Sequence, residues 1–216
     1  MERISGIDPG LAVLLDRAPN EELDYGFVMD CLRSYKNPRV KLSHLLKIGA
    51  LIRVKKGLYV FGQRCARKSY SLMVLANMMY GPSYVSLEWA FQYYGLIPEN
   101  VTTVTSITTQ RSRRHQTPLG LFTYDHQPMK VYPIGVCLAQ VSDRQTALIA
   151  TKEKALVDLL VVRRGRFVSK KQFHETLFDD LRVEEDDLAG LDRAVLKEIN
   201  EARPHSAVQY LMEAIC

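Results

Sequence analysis

Between Cys31 and Leu87 the chain has no aspartate or glutamate, although 24 of its 216 residues are acidic. The same stretch carries Arg33, Lys36, Arg39, Lys41, Lys47, Arg53, Lys55, Lys56, Arg64, Arg67 and Lys68. These are eleven positive charges in a chain of net charge +5, which leaves the remainder at −6. Self-repulsion among so many cations weakens a compact domain, so a polyanionic partner is the simplest reason to keep them together. Nucleic acid fits that description, and a solvated basic face is the competing reading.

Other absences narrow the function further. Cys31, Cys65, Cys137 and Cys216 show no CxxC or Cys/His ligand spacing, and the five histidines are scattered. That argues against a zinc site and a disulfide framework and for free thiols in a reducing, cytoplasmic compartment. The longest apolar stretches, such as Ala155 to Val162, are broken by Asp158 and fall short of the ~20 residues that cross a bilayer. Met1-Glu2-Arg3-Ile4 opens without a basic segment followed by an apolar run, so no secretory signal is expected. No GxxxxGK[ST], GxGxxG or GxSxG pattern occurs, and no Gly-Ser loop precedes an Asp-x-Asp. A Mg²⁺ nuclease of the restriction type needs an acidic residue followed by Glu-x-Lys on a strand. Lys152-Glu153-Lys154 opens a helix instead, and Glu88 and Asp125 have no evident partner. The chain is therefore expected to be no enzyme and to hold no metal or cofactor, with a nuclease or a pure protein-interaction module as the alternatives.

What is present is an ordinary globular composition, 47% hydrophobic and 25% charged, at a length that suits two modest domains. Asp8 and Pro9 are placed to start a helix over residues 8 to 17, and a polar loop from Ala18 to Glu22 follows. Asp24 is placed to cap a second helix reaching about Tyr35. Asn37 and Pro38 open a third, which runs to about Ile48 and stops at Gly49. On this third helix Leu42, Leu45, Leu46 and Gly49 share one face, and Arg39, Val40, Ser43, His44 and Lys47 share the other. Leu51 to Val54 and Leu58 to Phe61 are β-rich runs joined by Lys55-Lys56-Gly57, a hairpin with two lysines at its tip.

Short helices followed by a hairpin with a basic tip is the order of a winged helix-turn-helix, in which the last helix lies in the major groove and the hairpin reaches the flanking backbone. Arg39, Ser43, His44 and Lys47 are candidates for groove contacts. Lys36, Lys41, Arg53, Lys55, Lys56 and Gly57 are candidates for the phosphate side of the same double-stranded DNA interface.

A second domain is expected from about residue 67 to 216. A helix from Ser69 to Tyr80 leads to a turn ending in Ser83 as an N-cap, and Leu87, Ala90, Phe91 and Tyr94 follow at helical spacing until Gly95 and Pro98. Val101 to Thr109, Gly120 to Tyr124 and Lys130 to Ile134 read as strands of a small mixed sheet. Arg111, Arg113 and Arg114 fall in the first connection, as a second phosphate-touching patch or as solvated charge. Thr151 caps a helix from Lys152 to about Val162, and Glu184 to Asp187 read as a solvated acidic loop in a helical tail. The expected class is thus α+β: a winged helix-turn-helix over 1–66, then a helix-rich domain with a small mixed sheet.

Several runs carry a family resemblance. At Ala76-Asn77, Tyr80, Pro82 to Glu88, Tyr94 to Glu99 and Val104 to Thr108 the chain resembles the AbiEi family, the antitoxins of type IV toxin-antitoxin systems. The likeness extends upstream through Leu51 to Val60 and downstream through Glu153 to Leu160, covering roughly residues 36 to 162. It implies a bacterial or archaeal protein whose winged helix represses its own operon at inverted repeats, with two copies meeting on DNA. It also implies a C-terminal domain that counteracts a nucleotidyltransferase-type toxin without stably binding it. Arg53, Lys55, Lys56 and Gly57 match the family's wing.

Overall fold

The computed structural model describes residues 7–97, 100–165 and 167–215. Pro98 as a helix stop, Cys216 and the reading of Met1 to Ile4 lie outside the described residues. The chain is mixed α+β and contains two sheets.

The first helices start where local chemistry directs. Asp8 accepts hydrogen bonds from the backbone N–H groups of Gly10 (2.8 Å) and Leu11 (3.2 Å), and Pro9 takes the first turn of α1 (Pro9–Arg17). Asp24 accepts from Phe27 N (2.9 Å) to open α2 (Tyr25–Cys31), which ends short of the expected Tyr35. Helix α3 (Pro38–Lys47) begins at Pro38, but Asn37 makes no side-chain capping bond, contrary to expectation. The segment Ala18 to Glu22 is not all loop, because Glu22–Asp24 forms β1.

Strand β1 pairs antiparallel with β3 (Leu58–Phe61), which also pairs antiparallel with β2 (Leu51–Lys55). Alternation along a strand sends successive side chains to opposite faces. Here both faces of the hairpin are covered. Leu51, Tyr59 and Phe61 join Leu11, Leu14, Val28, Leu32, Leu42 and Leu45 in one core. Val54, Leu58 and Val60 belong to a second core with Leu75, Met79, Tyr84 and Phe122, so apolar packing crosses the expected division at residue 66. Directly after β3, Gly62 leaves no room for a side chain. A Cβ there would sit 1.9 Å from the Gly49 carbonyl oxygen.

The second sheet is larger than the three runs expected from the sequence. Its six strands are β4 (Ser83–Val85), β5 (Val104–Thr108), β6 (Arg113–Thr117), β7 (Gly120–His126), β8 (Val136–Ser142) and β9 (Gln145–Ala150). They are arranged in the order β6-β7-β5-β4-β9-β8. The sheet is mixed, with β4·β9 and β5·β7 parallel and the other neighbours antiparallel. Ser83 is a strand residue rather than a cap, and Ser86 precedes α5 (Leu87–Tyr94). Lys130 to Ile134 is a turn. Val131 and Tyr132 donate backbone bonds to Pro128 O, and Pro133 has no N–H to give a ladder.

Helix α4 (Leu72–Met79) and helix α6 (Lys152–Leu159) pack on this sheet. Thr151 caps α6 by accepting from Lys154 N (3.4 Å), and the helix continues through a wide π-type turn over Leu160–Arg164. Two ionisable residues one turn apart on α6 point fully inward. Lys154 Nζ lies 3.2 Å from Asp158 Oδ1, and neither side chain is exposed. Every polar atom of the pair is used. Lys154 also donates to Gln127 Oε1 (3.2 Å) and Val131 O (3.1 Å). Asp158 accepts from Gln127 Nε2 (2.6 Å), Tyr84 OH (2.9 Å) and Ser86 Oγ (2.8 Å). Burial pushes the Asp158 carboxyl above the usual carboxylate range, against the pull of Lys154, Ser86 and Tyr84.

The tail comprises α7 (Lys170–His174) with a π-type extension over Glu175–Asp180, then α8 (Glu185–Ala189), α9 (Arg193–Ala202) and α10 (Ser206–Ala214). Phe173, Leu177, Leu196, Ile199 and Leu211 join it to the second core. The acidic run is not a loop. Glu185, Asp186 and Asp187 form the first turn of α8, where carboxylates face the positive end of the helix dipole. Among the described residues no helix is long and apolar enough to cross a membrane.

Candidate nucleic-acid interface

Helix α3 presents the two faces that its sequence encodes, except that Gly49, expected on the packed side, lies beyond the helix and is exposed. Leu42 and Leu45 are buried and Leu46 is half-buried, whereas Arg39, Val40, Ser43, His44, Lys47 and Ile48 are exposed. Exposing Val40 (62%) and Ile48 (52%) beside cations makes a surface with both apolar and donor groups.

The hairpin lies next to the start of this face, and Tyr25 makes the link. Its backbone N–H donates to Gly57 O (2.9 Å), and its hydroxyl accepts from Arg39 Nε (3.2 Å). Residues on α2, α3 and the β2–β3 turn are thereby held together. Nothing in the sequence pattern singled out Tyr25.

The turn itself differs from expectation. Arg53 pairs with Tyr59 but Lys55 pairs with Leu58, so Val54 is an extra residue on β2. Such a bulge bends the strand and re-aims its side chains. Lys55 therefore ends the strand and donates through Nζ to Met79 O, leaving Lys56 as the lysine at the exposed tip. Gly57 follows at φ +91°, a conformation that disfavours any side chain.

Lys41 is also drawn away from the exposed face. Its Nζ is 2.5 Å from Asp8 Oδ2, with both side chains mostly buried, and it lies 5.0 Å from the centre of the Tyr35 ring. His44 Nε2 approaches the same carboxylate at 3.7 Å. Burial raises the Asp8 pKa, but the Lys41 hydrogen bond and the N–H groups of Leu11 and Gly10 outweigh it, so the carboxyl stays below its ordinary value. The cap of α1 thus doubles as an anchor for α3.

The remaining candidates are free to meet an anion. Lys36, Lys47, Arg53 and Lys56 are exposed and, like Arg39, have no carboxylate partner among the described residues. Arg53 lies 6.0 Å from the centre of the Tyr59 ring, which orients it without neutralising it. Two other cations of the acid-free segment have partners within the fold. Arg33 faces Asp30 at 3.5 Å, and Arg67 donates to Leu15 O (2.7 Å) and Ala18 O (2.9 Å) beside Glu21.

The carboxylates weighed for metal chemistry have a different partner. Arg163 Nε lies 2.9 Å from Glu88 Oε1 and Arg163 Nη1 lies 2.8 Å from Asp125 Oδ2. These residues line an open groove of about 620 Å³ together with Arg113, Arg114 and Thr123. Glu153 accepts from Asp192 N (2.9 Å) and Lys154 is buried, so Lys152-Glu153-Lys154 does not converge with that pair. No protein-family model matches the chain, and no curated protein matches it.

Proposed function

We propose that the chain binds double-stranded DNA through a winged helix-turn-helix formed by α1, α2, α3 and the β2–β3 hairpin, and that it acts as a cytoplasmic transcriptional repressor. The observation that carries this reading is the exposed face of α3, clear of carboxylates and joined through Tyr25 to the hairpin turn. Arg39, Ser43, His44 and Lys47 lie toward base edges, with Val40 available to a thymine methyl. Lys36, Arg53 and Lys56 take phosphates. Lys41 and Lys55 support the interface from behind, Lys41 by fixing α3 to Asp8 and Lys55 by fixing the hairpin to the end of α4.

The resemblance to AbiEi antitoxins supplies the finer proposal. In it the protein represses its own operon at inverted repeats, two copies meet on the DNA, and the part after residue 66 counteracts a nucleotidyltransferase-type toxin. No catalytic role is assigned to Glu88 and Asp125, because the Arg163 guanidinium occupies the space between them that a nuclease would give to a divalent ion.

Fluorescence anisotropy on a duplex from the DNA upstream of the coding sequence, beside a scrambled duplex, tests the reading. Wild type binds the upstream duplex preferentially. If Lys36, Arg53 and Lys56 each neutralise a phosphate, these three contacts alone lower its affinity about 40-fold between 50 and 200 mM salt. Lys56→Glu weakens both duplexes alike while the fold is retained. Equal, salt-independent binding to both, or Mg²⁺-dependent cleavage of either, overturns the proposal.

A further inference from the structure

The cationic surface does not stop at the hairpin. Lys55 Nζ bonds the carbonyl of Met79, the last residue of α4, and Tyr80 follows it. The Tyr80 ring packs edge-on against Tyr124 (5.2 Å between centroids) and tilted against His115 (5.9 Å). Arg113 lies over the same ring, 5.5 Å from its centre, and the Tyr80 hydroxyl donates to Arg111 O (3.1 Å). One tyrosine therefore ties the end of β2 to the start of β6. His115 records the same proximity. Burial lowers its pKa first, and the positive charges of Lys55 and Arg113 lower it further.

Strand β6 is an edge of the six-stranded sheet, and Arg111, Arg113 and Arg114 are all exposed on it or just before it. Among the described residues none of the three has a carboxylate within ion-pair distance. The nearest acids of the adjoining groove, Glu88 and Asp125, are both engaged by Arg163. Arg113 and Arg114 open β6 and Arg111 lies just before it; Arg111 and Arg113 line one shallow groove at this edge, and Arg113 and Arg114 line the next. A guanidinium is planar and presents paired donors to a phosphate, and a ring beneath it holds that plane in place.

The geometry points to a second DNA-backbone contact on β6: Arg111, Arg113 and Arg114 each meet a phosphate of the duplex held by α3 and the hairpin, beyond the hairpin tip. The inference rests on the DNA-binding reading above and extends it to a part of the chain that no winged helix includes. The competing role for charge on an edge strand is to block pairing with another sheet. It requires no DNA, and the experiment separates the two.

The full chain is titrated with the upstream duplex from 50 to 200 mM salt, as wild type and as Arg111→Gln/Arg113→Gln/Arg114→Gln. Losing three phosphate contacts flattens the slope of log K against log salt by about 2.7, so the wild-type affinity falls about 40-fold more than the variant's over that range. Preference for the upstream over a scrambled duplex is kept, and a hydroxyl-radical footprint shortens at the same end of each bound half-site. The triple Arg→Lys variant restores most of the slope, because the charge is retained. An unchanged slope and footprint in a triple Gln variant that is monomeric and folded by circular dichroism overturn the inference and leave the α3 reading standing. A wild type that binds no duplex overturns both. Aggregation of the Gln variant with full affinity assigns the arginines to edge protection and likewise overturns it.

Discussion

Helices α3 and α6 each carry lysines, and they use them in opposite ways. On α6, Lys154 and Asp158 are wholly buried, and each polar atom has a partner from β4, Gln127 or Val131. On α3, Lys47 and Arg39 face outward without a carboxylate, although the same helix anchors Lys41 to Asp8 on its inner side. A charge that is enclosed must be fully compensated or the fold fails, so the α6 pair is explained by folding alone. A row of exposed, uncompensated cations adds nothing to folding and is left available to a partner. The contrast separates residues that hold this molecule together from residues available for something else.

The sharpest way to break the contrast is to remove one member of the buried pair. Lys154→Met is expected to lower stability at neutral pH by about 3–5 kcal/mol in chemical denaturation, since it strands a buried carboxylate. The deficit relative to wild type should shrink on acidification. Burial already raises the folded pKa of Asp158, and without Lys154 it rises further while the unfolded value stays put. The penalty therefore applies above the unfolded pKa and is relieved as the pH falls through the folded one. A deficit that is constant with pH would show that Asp158 is not the stranded group.

The outward charges should behave in the reverse manner. Arg39→Glu and Lys47→Glu are each expected to weaken duplex binding by about 10- to 100-fold, or roughly 1–3 kcal/mol. The denaturation midpoint should not move. A matching loss of stability would place these side chains with the α6 pair. Tyr25→Phe removes only the hydroxyl that orients Arg39, so a loss of about two- to five-fold in affinity is expected, on the scale of one modest hydrogen bond. An effect as large as Arg39→Glu would mean that Tyr25 itself touches DNA.

The smallest effect belongs to Asp8→Asn. Asparagine caps a helix about as well as aspartate, so α1 should persist. Lys41 is released, and the salt slope of duplex binding should steepen by about one if the freed ammonium reaches a phosphate. In wild type the Asp8 pKa lies below its ordinary value, so its contribution to stability is present above the unfolded pKa and is lost as pH falls through the folded one. The Asn variant should lack that acid-dependent component.

Much of the N-terminal part was legible because its signals are local. Asp8, Pro9, Asp24 and Pro38 mark helix starts through bonds or ring geometry within one turn, and the 3.6-residue period of Leu42 and Leu45 marks the packed face. The C-terminal sheet was less legible. Ser83–Val85 is three residues long, and Arg113–Thr117 carries charge on an edge strand, so neither shows the apolar alternation that announces a strand. Lys130 to Ile134 had the composition of a strand, but Pro128 and Pro133 made it a turn.

What the sequence determined by itself is the acid-free segment, the α+β mixture and the two faces of α3, since charge count, capping and periodicity are properties of neighbours along the chain. Tertiary structure alone decided which cations stay free. Lys55 was turned inward by the Val54 bulge, Lys41 was taken by Asp8 from 33 residues away, and Lys154 was enclosed with Asp158 beneath β4. The fate of a long flexible cation depends on which oxygen the fold brings within reach, and that is fixed only when distant segments pack.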